Sequence, residues 1–287
     1  MTRDRTELVR ALAACAEPPS PALDHVAVAL GLPRTPTPAE HTEAFVFQLH
    51  PYASVHLGPE GQLGGIARDR VAGFLRALGV TPPPESDHLV VLLSAYAELL
   101  DLEAGTTDGR ARHARMMLLH EHLWPWLPRF LWRVEELAAA PYQVWARLLQ
   151  EVLREDAAEL DHTDELPAHL RQAPGLPEPS DGDVTDFLGG LLAPVRSGLV
   201  LARSDLSRIA RELDLGLRMG ERAFMLRALL GQDLPQTMRA VATEAERQRA
   251  HVVGDDATAA FWRDRLTTTA DRLLALGDLG DRAPLAR

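Results

Sequence analysis

The sequence predicts an all-α protein, and three observations support this fold class. Apolar residues recur at helical spacings of three and four along most of the chain, whereas the alternating apolar and polar runs typical of strands are nearly absent. Prolines and glycines cluster between the periodic segments, as in "EPPSP" and "TPPPESD", where they end one helix before the next begins. With 287 residues, 46% of them hydrophobic, the chain has ample material for a buried core in one large or two smaller domains.

The first 160 residues predict a helical body. Short helices are expected at 5–16 and 22–30, separated by "EPPSP", and longer ones at 39–50 and 66–78, the last ended by Gly79 and the prolines that follow. From Leu89 the apolar positions predict one buried face, because they repeat at three and four. These positions are 89, 92, 93, 96, 99 and 100. The remaining predicted helices of the body are 110–124, 129–138 and a helix that Pro141 opens and that reaches about residue 158.

A break follows at 161–183, "DHTDELPAHLRQAPGLPEPSDGD", where four prolines and a surplus of acid predict an exposed linker. Helical periodicity then resumes at 184–193, 204–214, 218–231, 234–252 and 256–276, with Ser204 and Asp233 as predicted N-caps. We therefore expect a body at 1–160, a linker at 161–183, and a C-terminal helical extension at 184–287 that packs on the body.

Composition disfavours several classes of function. The chain has no lysine and no asparagine, so all thirty basic residues are arginine. This excludes a Walker A motif and a Schiff-base lysine, and no G-x-S-x-G, H-E-x-x-H or G-x-G-x-x-G motif is present either, so most large enzyme classes are disfavoured. The formal charge of −11 disfavours nucleic acid and suits a cationic partner.

Other features point to a cytoplasmic protein. The start of the chain, "MTRDRTELVR", lacks the apolar run of a signal peptide. The longest apolar segment, "LVVLLSAYAELL", has twelve residues, whereas a membrane-spanning helix needs about 20. Cys15 is the only cysteine, which excludes an internal disulfide and a multi-cysteine metal site. We expect no stable membrane insertion, and the sequence leaves both a monomer and a homodimer open.

The segment "LLHEHLWPWLPRF" at 118–130 concentrates histidines, tryptophans and prolines. On a regular α-helix His113 and His120 lie at the edge of one apolar stripe, while His122 points nearly to the opposite side. Three ligands on such a helix do not converge on one ion, so we predict no metal and interpret His120 as a partly buried core residue.

The two tryptophans of this segment have two interpretations. Pro125 and Pro128 lack backbone donors, so they bend or end the helix and are expected to turn Trp124 and Trp126 outward. The tryptophans then either pin neighbouring helices or form an apolar binding wall.

Two further segments have a structural and a functional interpretation. Asp87 comes at the start of the helix at Leu89, where its carboxylate is expected to cap free amides. The glycine-rich "GPEGQLGG" at 58–65 is interpreted as a mobile loop, the alternative being an anion site on backbone amides.

Taken in order, several of these elements resemble the TorD-type chaperones of molybdoenzyme maturation, which include the DmsD and NarJ proteins. That family shows a proline–tyrosine–x–serine–valine–tyrosine element, an acid–proline–x–aspartate–histidine helix start and a histidine–leucine–x–x–tryptophan–x–proline helix end. The resemblance covers about residues 40–155. The matching residues are Pro51, Tyr52, Ser54 and Val55, then Asp87 and His88, then His122, Leu123, Trp126 and Pro128. Two departures are His56, where the family has tyrosine, and Glu85, which follows Pro84 instead of preceding a proline.

The resemblance implies an all-helical, non-enzymatic chaperone without a bound cofactor. Its expected partners are an apo-molybdoenzyme catalytic subunit and the twin-arginine signal peptide of that subunit, bound before the molybdopterin cofactor is inserted. The alternatives are a generic helical scaffold or regulatory interaction protein, and a protein that binds a pterin or another small molecule through the 58–65 loop. The candidate peptide-binding residues are Tyr52, Ser54, His56, Phe74, Leu75, Glu85, Asp87, His88, Trp124 and Trp126.

Overall fold

The computed structural model describes residues 2–160, 165–178 and 184–282, and in these ranges the chain is helical without a strand. The predicted all-α fold class is therefore confirmed. Contacts divide the chain into two compact units, the first formed by 1–58 and 62–171 and the second by 59–61 and 172–287.

The predicted linker is described only in part. Residues 161–164 and 179–183 lie outside the described residues. Between them, Leu170 is buried on a short helix and Leu176 is buried in the core of the second unit. The division between the units, at 171/172, falls within the segment for which a linker is predicted.

The first unit packs its helices around long apolar faces. Helix α1 lies against α6 and α9, while α8 packs on α9 and α7 on α6. The face predicted for α6 is confirmed, because each of its six apolar positions is buried. The helices are α1 (Thr2–Ala14), α2 (Leu23–Ala29), α3 (Pro38–His41), α4 (Ala53–Leu57), α5 (Gly65–Ala77), α6 (Leu89–Gly105), α7 (Arg110–Met117), α8 (Leu127–Leu137), α9 (Ala140–Glu159) and α10 (Ala168–Gln172), with π-helical segments at Thr42–Gln48 and Leu118–Leu123.

The π-helical segment Leu118–Leu123 changes the register of the histidines. The amide of Trp124 donates to the carbonyl of Leu119, five residues back, at 2.8 Å. This wider turn rotates the residues that follow relative to a regular α-helix. His120 and His122 are both buried as a result, so the prediction that His122 points away from the core is wrong.

A buried polar network ties four helices of this unit together. The hydroxyl of Tyr96 on α6 donates to Asp156 on α9 at 2.8 Å and accepts from Arg115 on α7 at 3.1 Å. Arg5 on α1 pairs with the same aspartate at 2.7 Å. Because Arg115 and Asp156 are almost fully buried, these contacts supply the partners that buried charges require.

The second unit has its own apolar core, built mainly from leucines of its helices, with α15 and α16 packed along each other. Asp233 caps α15 as predicted, since its carboxylate accepts from the amide of Gln236 at 2.9 Å. Ser204 is not the cap of α13, because that helix begins after Ala202, whose amide donates to the carboxylate of Asp205. The helices are α11 (Val184–Leu192), α12 (Pro194–Ser197), α13 (Arg203–Glu212), α14 (Arg222–Leu230), α15 (Leu234–Ala250) and α16 (Ala257–Arg282).

The side-chain amide of Gln248 binds the backbone of the loop at Val200. The Oε1 atom of Gln248 accepts from the amide of Val200 at 3.0 Å, and its Nε2 atom donates to the carbonyl of the same residue at 3.1 Å. The 59–61 segment joins this unit through Glu60, whose carboxylate accepts from Arg222 at 2.6 Å. Within the described ranges, no helix combines the length and the apolar character needed to cross a membrane.

Candidate functional site

The predicted site residues of two distant segments meet in an antiparallel bridge between Tyr52 and His88. The amide of Ala53 donates to the carbonyl of Asp87 at 3.0 Å, and the amide of Leu89 donates to the carbonyl of Pro51 at 2.9 Å. These hydrogen bonds hold the start of α4 beside the start of α6. Two motif elements that lie more than thirty residues apart in sequence therefore form one site.

The carboxylate of Asp87 stabilises this junction from below the surface. The residue is 1% exposed, and its Oδ2 atom accepts from the amide of Ser54 at 2.9 Å, in the first turn of α4. The prediction that Asp87 caps the helix following it is wrong, because that N-cap is His88, whose Nδ1 atom accepts from the amide of Val90 at 3.2 Å. Asp87 thus positions α4, and its carboxylate is not presented to solvent.

The imidazole of His88 is favoured in its neutral form, with Nε2 as the donor. Burial lowers its pKa, against the opposing influence of the carboxylates of Glu85, Asp87 and Glu17. Since Nδ1 accepts a backbone hydrogen bond, the proton of the neutral ring resides on Nε2. The ring also packs edge-on against Tyr52, with centroids 4.7 Å apart.

Tyr52 orients the carboxylate of Glu85. Its hydroxyl donates to Oε2 of Glu85 at 2.9 Å. Burial and the neighbouring Glu85 raise the pKa of Tyr52 to about 12, so the hydroxyl keeps its proton and remains a donor. Glu85 itself is exposed and retains acceptor capacity for another donor, because a carboxylate has about four lone-pair positions.

Glu85 and His88 border a cleft of about 450 Å³ in the first unit. Its lining comes from the α1–α2 connection, the α5–α6 connection and the start of α6. No arginine lines it, so its two acidic side chains make it anionic. The lining residues are Glu17, Pro18, Pro83, Pro84, Glu85, His88, Val90 and Val91.

Two of the predicted site residues lie in the core. His56 stacks on Trp126 with ring centroids 4.9 Å apart and planes 18° apart, and one of its ring nitrogens lies 3.2 Å from the carbonyl of His50. The indole nitrogen of Trp126 donates to the carbonyl of His122 at 2.9 Å. The prediction that Trp126 turns outward is wrong, since this residue is 1% exposed. His56 on α4 and Trp126 pack against each other in the core and do not form a surface wall.

The other predicted residues also lie away from the lining of the cleft. Phe74 is half-buried on α5 and contacts the ring of His122 at 5.3 Å, whereas Leu75 is buried in the core. Trp124 is half-buried. Ser54 is buried, and its hydroxyl accepts from the amide of Gly64 at 3.0 Å, so it anchors the glycine-rich loop to α4.

A second polar cluster lies where α10 packs on the π-helical segment. The amide of Ala168 donates to the carboxylate of Glu121 at 3.0 Å. His122 and His169 are 8% and 7% exposed, and Nδ1 of the first and Nε2 of the second have no hydrogen-bond partner in the described part of the chain. Burial is the main cause that lowers the pKa of His122 to about 3 and that of His169 to about 4, and the charge of Arg70 contributes to both shifts.

Within the ranges the structure describes, no group of three or more histidine, cysteine, aspartate or glutamate side chains is arranged to hold an ion.

The residues that build the cleft lie within a range shared with known proteins. Residues 17–131 match the family model described as the nitrate reductase delta subunit. This part of the chain is similar to that family. The resemblance to the TorD-, DmsD- and NarJ-type maturation chaperones is therefore confirmed over this range. No curated protein matches the chain.

The matched range of the nitrate reductase delta subunit family contains every residue that lines the cleft, including several that the motifs did not indicate. Glu17 and Pro18 were missed because they precede the family-like elements, and Val90 and Val91 because they resemble ordinary helix residues. The sequence signal that could have indicated these residues is the proline content of "EPPSP" and "TPPPESD", because both connections that border the cleft are proline-rich.

Proposed function

We propose that the protein is a cytoplasmic maturation chaperone that binds the twin-arginine signal peptide of an apo-molybdopterin oxidoreductase and assists assembly before cofactor insertion. The observation that carries this proposal is the anionic, proline-lined cleft in the part of the chain that matches the nitrate reductase delta subunit family. A signal peptide with two arginines and an apolar segment complements such a cleft in charge and in polarity.

In this proposal the cleft residues have different roles. Glu85 accepts charge-assisted hydrogen bonds from a guanidinium, and the Nε2–H group of His88 donates to a peptide carbonyl. Tyr52 orients Glu85, while Asp87 and Ser54 hold the start of α4 in place. His56, Phe74, Leu75, Trp124 and Trp126 shape the body that carries the cleft.

The test uses Glu85→Gln and a synthetic peptide that carries two consecutive arginines followed by an apolar segment. Glutamine keeps the shape and the acceptor for Tyr52 but removes the charge. We expect the variant to keep its melting temperature and to bind the peptide about tenfold more weakly, which corresponds to about 1.4 kcal/mol. Titration calorimetry measures both affinities, and the wild-type affinity should also fall as ionic strength rises.

Glu151→Gln is the matched control, because Glu151 is exposed on α9 and does not line the cleft. This variant should bind the peptide as the wild type does. Equal affinities of wild type and Glu85→Gln would contradict the proposed role of the cleft, as would a wild type that binds the two-arginine peptide no better than one with both arginines replaced by glutamine.

A further inference from the structure

The carboxylate of Glu17 lines the cleft and has no partner among the described residues. The residue is exposed, lies three residues beyond the end of α1 and lines the cleft with its neighbour Pro18. Glu85 accepts a hydrogen bond from Tyr52, whereas the carboxylate of Glu17 has no hydrogen bond or ion pair with the described residues. The cleft therefore contains a negative charge that is not paired within the part of the chain that the structure describes.

The backbone that carries Glu17 is held in place although its side chain is free. The amide of Glu17 donates to the carbonyl of Ala14 at 3.2 Å, and the preceding Cys15 and Ala16 are buried. A ring nitrogen of His41 lies 3.5 Å from the carbonyl of Ala16. Such anchoring lowers the conformational cost of binding, because only the side chain has to be ordered when a ligand arrives.

The two carboxylates of the cleft come from different connections. Glu17 belongs to the α1–α2 connection and Glu85 to the α5–α6 connection, and the charges of both oppose the lowering of the pKa of His88, which lines the same cleft. Adjacent side chains of an extended peptide point to opposite sides of its backbone. A peptide with two consecutive arginines that lies in this cleft therefore directs one guanidinium toward each connection.

The apolar part of the lining suits the same ligand. Prolines on both connections and the valines at the start of α6 offer apolar surface without backbone donors that compete for the carboxylates. The methylene stem of an arginine packs on such surface while its guanidinium reaches a carboxylate at the rim.

We propose that Glu17 is a specificity-determining residue that binds one arginine of the pair, while Glu85 binds the other. This inference rests on the proposed function, because it assigns a residue to the recognition of the same peptide. It accounts for a requirement for two arginines, since each carboxylate then contributes separately to the affinity.

The test is a matrix of protein variants and peptides measured by titration calorimetry. The proteins are wild type, Glu17→Gln, Glu85→Gln and the control Glu151→Gln. The peptides carry both arginines, only the first, only the second, or neither, with glutamine at each replaced position. Glu17→Gln is suited to this test because its side chain has no described partner, so the melting temperature should not change.

We expect each cleft variant to lose about tenfold in affinity for the two-arginine peptide. Against the single-arginine peptides, Glu17→Gln should lose affinity for one of them and Glu85→Gln for the other. The pairing of each glutamate with a different arginine is the result that supports the inference.

Two results would overturn the inference while the proposed function stands. One is unchanged affinity of Glu17→Gln for the two-arginine peptide beside a clear loss for Glu85→Gln. The other is a loss for both variants against the same single-arginine peptide. If the wild type does not distinguish the two-arginine peptide from the one with neither arginine, the proposed function of the cleft fails first.

Discussion

Acid should destabilise the first unit through His122 and His169, which are buried next to Arg70 with one ring nitrogen of each lacking a partner. In the unfolded chain a histidine takes up a proton below about pH 6.5. In the folded protein the pKa of His122 is about 3 and that of His169 about 4, so both rings stay neutral well below pH 6.5. Between pH 6.5 and 4 the unfolded state binds more protons, and the free energy of unfolding must fall as the pH falls.

The size of this loss in unfolding free energy follows from how far the pH lies below the histidine pKa of the unfolded chain. For each ring that stays neutral in the folded protein, every pH unit below about 6.5 lowers the free energy of unfolding by about 1.4 kcal/mol. Each histidine therefore lowers it by about 2 kcal/mol at pH 5. Together they account for about 4 kcal/mol between pH 7 and pH 5. The variant His169→Gln removes one titrating ring, and its loss over this interval should be smaller by about 2 kcal/mol, whatever its stability at pH 7.

Urea denaturation at the two pH values measures this difference. Tryptophan fluorescence reports mainly on the first unit, because four of the five tryptophans lie there and only Trp262 lies in the second. His113→Gln is the control, since His113 is exposed on α7 and the variant should keep the full acid loss. An identical pH 7 to pH 5 loss in wild type and His169→Gln would refute the reasoning.

Four further substitutions and one pH profile have defined expectations in urea denaturation. Thr37→Ala removes the hydroxyl that accepts from the amide of Glu40 and should cost about 1 kcal/mol. Arg34 and the Thr37 amide lower the pKa of Glu40 to about 2. The stability that this carboxylate contributes should therefore be present above about pH 4.5 and lost as the pH falls toward 2. A free energy of unfolding that does not change over this pH range would contradict this. Gln248→Leu leaves both backbone groups of Val200 without their partner, so the free energy of unfolding of the second unit should fall by about 2–6 kcal/mol, and a loss below 1 kcal/mol would count against that role. Asp87→Ala should lower the free energy of unfolding by about 1–2 kcal/mol. Asp87→Asn should lower it less, because asparagine still accepts from the amide of Ser54. Equal losses for the two variants would show that the charge matters more than the hydrogen bond.

The features predicted correctly from sequence depend on local patterns. The six apolar positions of α6 repeat at helical spacing, and a buried face follows from that spacing whatever the helix packs against. Asp233 precedes its helix directly, and an aspartate there accepts from the amide three residues later. The order of the family-like elements was likewise visible without any contact between them.

The errors arose where a local rule had more than one outcome. Asp87 precedes α6, yet its carboxylate caps α4, because the bridge between Tyr52 and His88 brings a second helix start within reach. His122 turned inward because the π-helical segment adds a residue to one turn, which a regular period does not anticipate. Trp126 lies after a proline but is buried, since His56 from another segment stacks on it.

By itself, the sequence determined that this protein is helical, where its strongest helix is buried, and which family its first part resembles, because helix formation, capping and motif order are properties of neighbouring residues. Only the tertiary structure decided which carboxylates reach the surface. Asp87 and Glu85 are two residues apart, yet the fold buries one under α4 and leaves the other at the cleft. It also placed Glu17, far away in sequence, beside the same cleft. Burial and long-range proximity depend on how helices pack, and no local pattern encodes that packing.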